Sequence, residues 1–159
     1  QEYGIKPDVM TVAKALGNGV PIGAFLTSGK ASDVLKPGDH GSTYGGNPLV
    51  CAVASKVLDI FKEDDITGNV KAVGDYLKEK LESMAKEYPF IKEVRGKGLL
   101  LGMEFDIPVA DIIKSALLDE KMVLINAGSN VLRFIPPLII SKEDVDDALE
   151  RLKRVLNKF

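Results

Sequence analysis

Ile91-Lys92-Glu93-Val94-Arg95-Gly96-Lys97-Gly98-Leu99-Leu100-Leu101-Gly102-Met103-Glu104-Phe105 holds two apolar stretches, Ile91 to Arg95 and Leu99 to Phe105, around the bend Arg95-Gly96-Lys97-Gly98. Both stretches read as strands, and the glycines mark the turn between them, with its basic residues expected in solvent. Working outward, Ala110 to Leu118 reads as a helix, and Met122 to Ile125 and Val131 to Ile135 as two more strands. Val145, Leu149, Leu152, Val155 and Phe159 give a closing helix, with Ser141 and Asp144 set like a capping box. On the other side, Val70, Val73, Leu77, Leu81 and Met84 recur at helical spacing, and Pro89 lies just beyond. Residues 63–159 are therefore expected to form a small α+β domain with its own core.

Residues 1–62 have a different texture. Val9 to Ala13 and Pro21 to Thr27 read as short strands around the turn Ala15-Leu16-Gly17-Asn18-Gly19. Asn47-Pro48 opens a helix, a preferred N-cap followed by a preferred first residue, with Val50, Val53, Val57 and Phe61 behind it. This segment is too loop-rich to fold alone and reads as the remnant of a larger α/β domain. The chain begins Gln1-Glu2-Tyr3-Gly4, with no initiator methionine, which suggests a cut within a longer protein.

Composition narrows the function classes. Hydrophobic residues make up 45% and charged residues 28%, with a formal net charge of −2 and no basic block, which argues against a nucleic-acid or anionic-membrane surface. The single cysteine, Cys51, excludes an internal disulfide, fits a reducing cytoplasmic setting and is expected to fill a small space in a helix core.

Three places carry chemistry. Thr11-Val12-Ala13-Lys14-Ala15-Leu16-Gly17 sets one amine among small and apolar neighbours. Desolvation favours the neutral amine with its free lone pair, as a nucleophile needs. From the heptapeptide alone, a surface lysine is the better reading. His40-Gly41-Ser42-Thr43-Tyr44-Gly45-Gly46-Asn47-Pro48 combines small residues, hydroxyls and a helix N-terminus, which suits a phosphate, and an ordinary glycine loop stands beside that reading. His40, the only histidine, is expected to be a loop hydrogen-bonder; alone it supports neither a metal site nor a triad. Arg133, in Val131-Leu132-Arg133-Phe134-Ile135-Pro136-Pro137, has apolar neighbours on both faces of its strand and needs an anion. A substrate carboxylate and an internal salt bridge stand level there.

In order along the chain, Pro7-Asp8, Ala13-Lys14-Ala15-Leu16-Gly17 and Val20-Pro21-Ile22-Gly23-Ala24 are followed by His40 to Leu49, Arg95-Gly96-Lys97-Gly98-Leu99 and Leu132-Arg133-Phe134-Ile135-Pro136-Pro137-Leu138. This series resembles the class III (subgroup II) aminotransferases dependent on pyridoxal 5'-phosphate (PLP), and within them the acetylornithine and ornithine aminotransferases. The resemblance implies an α/β chain of PLP fold type I, here the end of the large domain plus the small C-terminal domain. It implies that Lys14 forms the Schiff base to PLP, and that Thr43 holds the cofactor phosphate across the interface of a homodimer. Ser42 would neighbour that phosphate, and Arg133 would grip the carboxylate of glutamate or 2-oxoglutarate. No metal is implied. The partner of the pyridine nitrogen, the ring-stacking residue and the first phosphate loop would lie before Gln1, so this chain alone is expected to be inactive.

The resemblance implies transamination of N-acetylornithine or ornithine with 2-oxoglutarate, in arginine biosynthesis. Close alternatives are a 4-aminobutyrate or lysine-pathway aminotransferase, and more distant ones a PLP decarboxylase or aminomutase. A non-enzymatic anion- or protein-binding module would instead leave Lys14 exposed and remote from Thr43.

Overall fold

Two consecutive aspartates, Asp64 and Asp65, separate two units in the computed structural model, which describes residues 3–159. The first unit ends at Asp64 and the second runs from Asp65 to Phe159. Asp65 adopts a left-handed backbone (φ 45°) and caps the next helix through its carboxylate, which accepts from the Gly68 amide at 3.3 Å.

In the first unit, β1 (Val9–Ala13) and β2 (Gly23–Thr27) pair antiparallel from Val9↔Thr27 to Ala13↔Gly23. The connection is tight: a Cβ on buried Gly17 would lie 2.3 Å from the Val20 carbonyl oxygen, so only glycine fits there. A loop then leads to α1 (Pro48–Glu63), capped by Asn47, whose side chain accepts from the Val50 amide at 3.2 Å. Val50 and Ala54 are the buried apolar residues of this unit among those described, so its core is thin. They lie four apart on one face of α1. Cys51 sits a residue further round the helix and is exposed, which corrects the expectation of a core filler.

The second unit contains α2 (Ile66–Ala85), β3 (Ile91–Lys97), β4 (Leu100–Phe105), α3 (Ala110–Glu120), β5 (Ile125–Asn126), β6 (Val131–Phe134) and α4 (Lys142–Leu156). Its antiparallel sheet has the order β3-β4-β6-β5. Leu101, Met103 and Phe105 alternate inward from β4 beside Leu132 of β6 and join Leu77, Leu81, Ile112, Val145 and Leu152 from the helices in one core. The opposite sheet face is open, with Arg95, Leu100 and Arg133 exposed on it. The capping box at α4 is formed: Ser141 Oγ accepts from the Asp144 amide at 3.1 Å, and the Asp144 carboxylate accepts from the Ser141 amide at 3.0 Å. The Ser141 hydroxyl, which donates to the Asp144 carboxylate at 2.7 Å, and then the Ser141 amide hold that carboxyl below the usual carboxylate range.

The strand expected over 122–125 is shorter than its apolar run, since only Ile125 and Asn126 pair with β6. Lys121 leaves α3 in a left-handed conformation (φ 52°), and the Met122 amide is spent on the Ala116 carbonyl at 2.9 Å. Helix termination thus takes the hydrogen bonds that a longer strand would need.

Gly74 of α2 meets the β3–β4 turn at backbone distance. A Cβ there would lie 2.4 Å from the carbonyl carbon of Gly98, which is itself held at φ +54°. Gly74→Ala is expected to lower unfolding stability by about 2 kcal/mol, the scale of an overpacked core, as read by the denaturant midpoint.

Candidate active site

β1 ends at Ala13, opposite Gly23, and Lys14 follows directly as the first residue of a short 3-10 turn, Lys14–Leu16. The Lys14 carbonyl accepts from the Gly17 amide at 3.0 Å, closing the turn, which packs against α1. Lys14 has φ +53°, a left-handed backbone that disfavours a residue with a side chain by about 1–2 kcal/mol. Its side chain is exposed and has no carboxylate partner among the described residues. The apolar surroundings expected from its sequence neighbours are therefore not supplied by this chain.

The hydroxyl loop lies in the same unit. Gly45 donates to the Ser42 carbonyl at 3.3 Å, Gly46 turns with φ +67°, and Asn47 ties the loop to α1 by donating to the Tyr44 carbonyl at 2.8 Å. Ser42 and Thr43 are exposed, and among the described residues their side chains make no hydrogen bond, which leaves both hydroxyls able to donate to a ligand. The first turn of α1 has no acidic residue, so the positive end of the helix is not neutralised there. His40 is exposed too, and its ring makes none of the hydrogen bonds expected of it among the described residues.

Arg133 belongs to the second unit, on β6, paired in register with Gly102 of β4 and Ile125 of β5. It is exposed on the open sheet face, so the enclosure expected from its apolar neighbours does not occur: Leu132 is buried on the opposite face, and Val131 is half-buried. The four arginines of the chain divide sharply. Arg95 pairs with Glu93 at 2.8 Å and with Glu104, Arg151 with Asp147 at 2.9 Å, and Arg154 with Glu120 at 2.8 Å. Among the described residues Arg133 has no carboxylate partner, so the internal salt bridge does not form and its fork stays open to an outside carboxylate.

Arg95 is exposed, as expected of the basic residues there, but it lies within β3 rather than in the bend, and its two carboxylate hydrogen bonds, Glu104 foremost, raise its pKa above the ordinary arginine value. Nothing in the local pattern announced the left-handed backbone of Lys14, because lysine carries no preference for it. Among the described residues, no group of His, Cys, Asp and Glu could hold a metal ion, and no helix is long and apolar enough to cross a membrane.

Comparison with known proteins covers almost the whole chain. Residues 1–156 match the aminotransferase class-III family. The acetylornithine aminotransferase of Caldanaerobacter subterraneus subsp. tengcongensis is 48% identical over 161 residues, covering 100% of this chain and 40% of that protein. That of Methanocaldococcus jannaschii is 45% identical over 160 residues, with the same two coverages. The solved ornithine delta-aminotransferase of Plasmodium falciparum superposes with a TM-score of 0.92 at 35% identity, over 99% of this chain and 41% of that one. The chain thus spans about two-fifths of the length of the relatives it matches, and its α/β fold is that of the corresponding part of these enzymes.

The left-handed backbone at Lys14 gives a test on the protein without ligand. Glycine adopts that conformation freely, so Lys14→Gly is expected to be more stable than Lys14→Ala by about 1 kcal/mol in thermal unfolding. In a relaxed helical or extended site the order would be reversed.

Proposed function

The chain belongs to the class-III aminotransferases, and from that premise we propose that it forms part of a PLP-dependent transaminase acting on N-acetylornithine or ornithine with 2-oxoglutarate. The products are the corresponding semialdehyde and glutamate, in arginine biosynthesis in the cytoplasm. The observation that carries the reading is Lys14, an amine without a carboxylate partner among the described residues, held on a strained backbone in a chain that matches this family over residues 1–156.

Among the described residues the donor set suits PLP: an amine, two hydroxyls that make no hydrogen bond, a helix N-terminus free of acids, and an arginine with no carboxylate partner. The cofactor, when bound, supplies the electron sink for the carbon that carries the transferred amino group. Lys14 is the residue that would bond it, and the Lys14 amine, freed when the amino group of the substrate replaces it, would carry the proton from that carbon to the cofactor. Thr43 holds the phosphate by donating its hydroxyl, with Ser42 beside it and the N-terminus of α1 behind both. In this reading Thr43 serves the site of a second copy of the chain, so the working unit is a homodimer. Arg133 fixes the carboxylate of glutamate or 2-oxoglutarate by two parallel hydrogen bonds, which sets the reacting carbon in place.

We assign residues 1–62 to the end of the cofactor-binding large domain and residues 63–159 to the small C-terminal domain. The 159-residue chain by itself is expected to be inactive.

The test uses the full-length protein that contains this chain. Lys14→Ala is expected to abolish transamination and remove the visible absorbance of the bound cofactor. Arg133→Ala is expected to raise KM for 2-oxoglutarate tenfold or more, since a charge-assisted pair is worth about 1.5–3 kcal/mol. Retained turnover in Lys14→Ala would remove the reading.

A further inference from the structure

The ribbon that ends beside Lys14 leaves its loop no slack. Ala13 of β1 pairs with Gly23 of β2, so residues 14–22 must leave one strand and return to the other across a single rung. Hydrogen bonds of turn spacing fold them. The Gly17 amide donates to the Lys14 carbonyl at 3.0 Å, the Asn18 amide to the Ala15 carbonyl at 3.2 Å, and the Val20 amide to the Gly17 carbonyl at 3.3 Å. Asn18 and Gly19 both take positive φ, 44° and 123°, and turn the chain back.

The returning limb then lies directly on Gly17. A Cβ there would stand 2.3 Å from the Val20 carbonyl oxygen, 2.7 Å from Ile22 Cγ2 and 3.1 Å from Val20 Cγ2. Gly17 has φ −97°, which residues with side chains also adopt in turns, so glycine is required there for space and not for backbone freedom. The left-handed conformation falls at the other end of the same turn. Ala13 is extended, with φ −158°, and Lys14 reverses to φ +53°. Steric closure at residue 17 and the reversal at residue 14 thus belong to one hydrogen-bonded turn.

We propose that Gly17 is a positioning residue for the Lys14 amine: the space it leaves lets Val20 and Ile22 close the loop, and the closed loop holds Lys14 in the left-handed backbone from which its side chain is aimed. The proposal rests on the reading of Lys14 given above. A side chain at residue 17 pushes the returning limb away and lets Lys14 relax to negative φ. That turns the Lys14 Cβ and moves the amine at the end of a long side chain. A displacement of about 1 Å at a reacting group can cost on the order of 100-fold in rate.

The experiment compares variants of the full-length protein. In thermal unfolding without cofactor, the stability order of Lys14→Gly above Lys14→Ala is expected to reverse when Gly17→Ala is added to both. With PLP bound, Gly17→Ala is expected to lower kcat about tenfold or more, with KM for 2-oxoglutarate near that of the parent, and to change the visible circular dichroism of the cofactor. Gly74→Ala, where a Cβ would lie 2.4 Å from the Gly98 carbonyl carbon, is the comparison for mere instability, and is expected to keep the parent kcat and spectrum. An order of the Lys14 variants that Gly17→Ala leaves unchanged, or a kcat that falls alike in Gly17→Ala and Gly74→Ala, overturns the proposal. Ile22→Ala, which removes packing that closes the same space, is read in the same way if Gly17→Ala lacks a cooperative melting transition. Lys14→Ala separates the two ideas. Retained turnover there removes the reading of Lys14 and the proposal with it, whereas lost turnover there beside a parent-like Gly17→Ala removes the proposal alone.

Discussion

One-sided burial of the sheet β3-β4-β6-β5 is the constraint on which the second unit depends. Leu101, Met103, Phe105 and Leu132 are sealed against apolar residues of the helices, and strand alternation then forces their neighbours outward. A slip of one residue would turn Arg133 into the core and Leu132 out of it. Two fixed points hold the register. At the β3–β4 turn, Gly74 and Gly98 meet backbone to backbone, and at the other end the Asn130 side chain donates to the Phe105 carbonyl at 3.0 Å. The presentation of Arg133 is thus a by-product of core packing rather than of any contact made by the arginine itself.

The first unit is organised differently. Two buried apolar residues among those described give little hydrophobic stabilisation, so its local geometry comes from hydrogen bonds and steric limits. The ribbon ends at Ala13, the turn closes from Lys14 to Gly17, and the lack of space around Gly17 leaves the chain one way to pass. Lys14 receives the left-handed backbone that results. A lysine gains nothing from that conformation in stability, and such strain persists where the surroundings over-determine it and function has a use for the position.

Much of this was legible in the sequence, for reasons that differ by element. The α4 helix announced itself through its capping box and its apolar stripe, because both signals are local. The paired strands around residues 96–98 were legible from glycine punctuation between apolar runs. The strand over 122–125 was over-read, since its apolar residues serve the core from a backbone whose hydrogen bonds go to ending α3. Cys51 was misplaced because a helix that buries a stripe as narrow as Val50 and Ala54 leaves its adjacent positions in water. Lys14 and Arg133 could be singled out by residue type and by order along the chain. The strain at the one and the missing partner at the other could not, because both depend on non-local geometry.

The charged side chains on the open sheet face are not equivalent. An exposed guanidinium attracts any carboxylate within reach, and such a pair is worth about 0.2–1 kcal/mol. That is enough to occupy the arginine much of the time and to make an incoming carboxylate compete. On this sheet Glu104 is only 29% exposed along its side chain and bound to Arg95. Arg95 and Arg133 stand on either side of Gly102, the one with two carboxylates and the other with none among the described residues, so two arginines in a single row of the sheet meet opposite electrostatic surroundings.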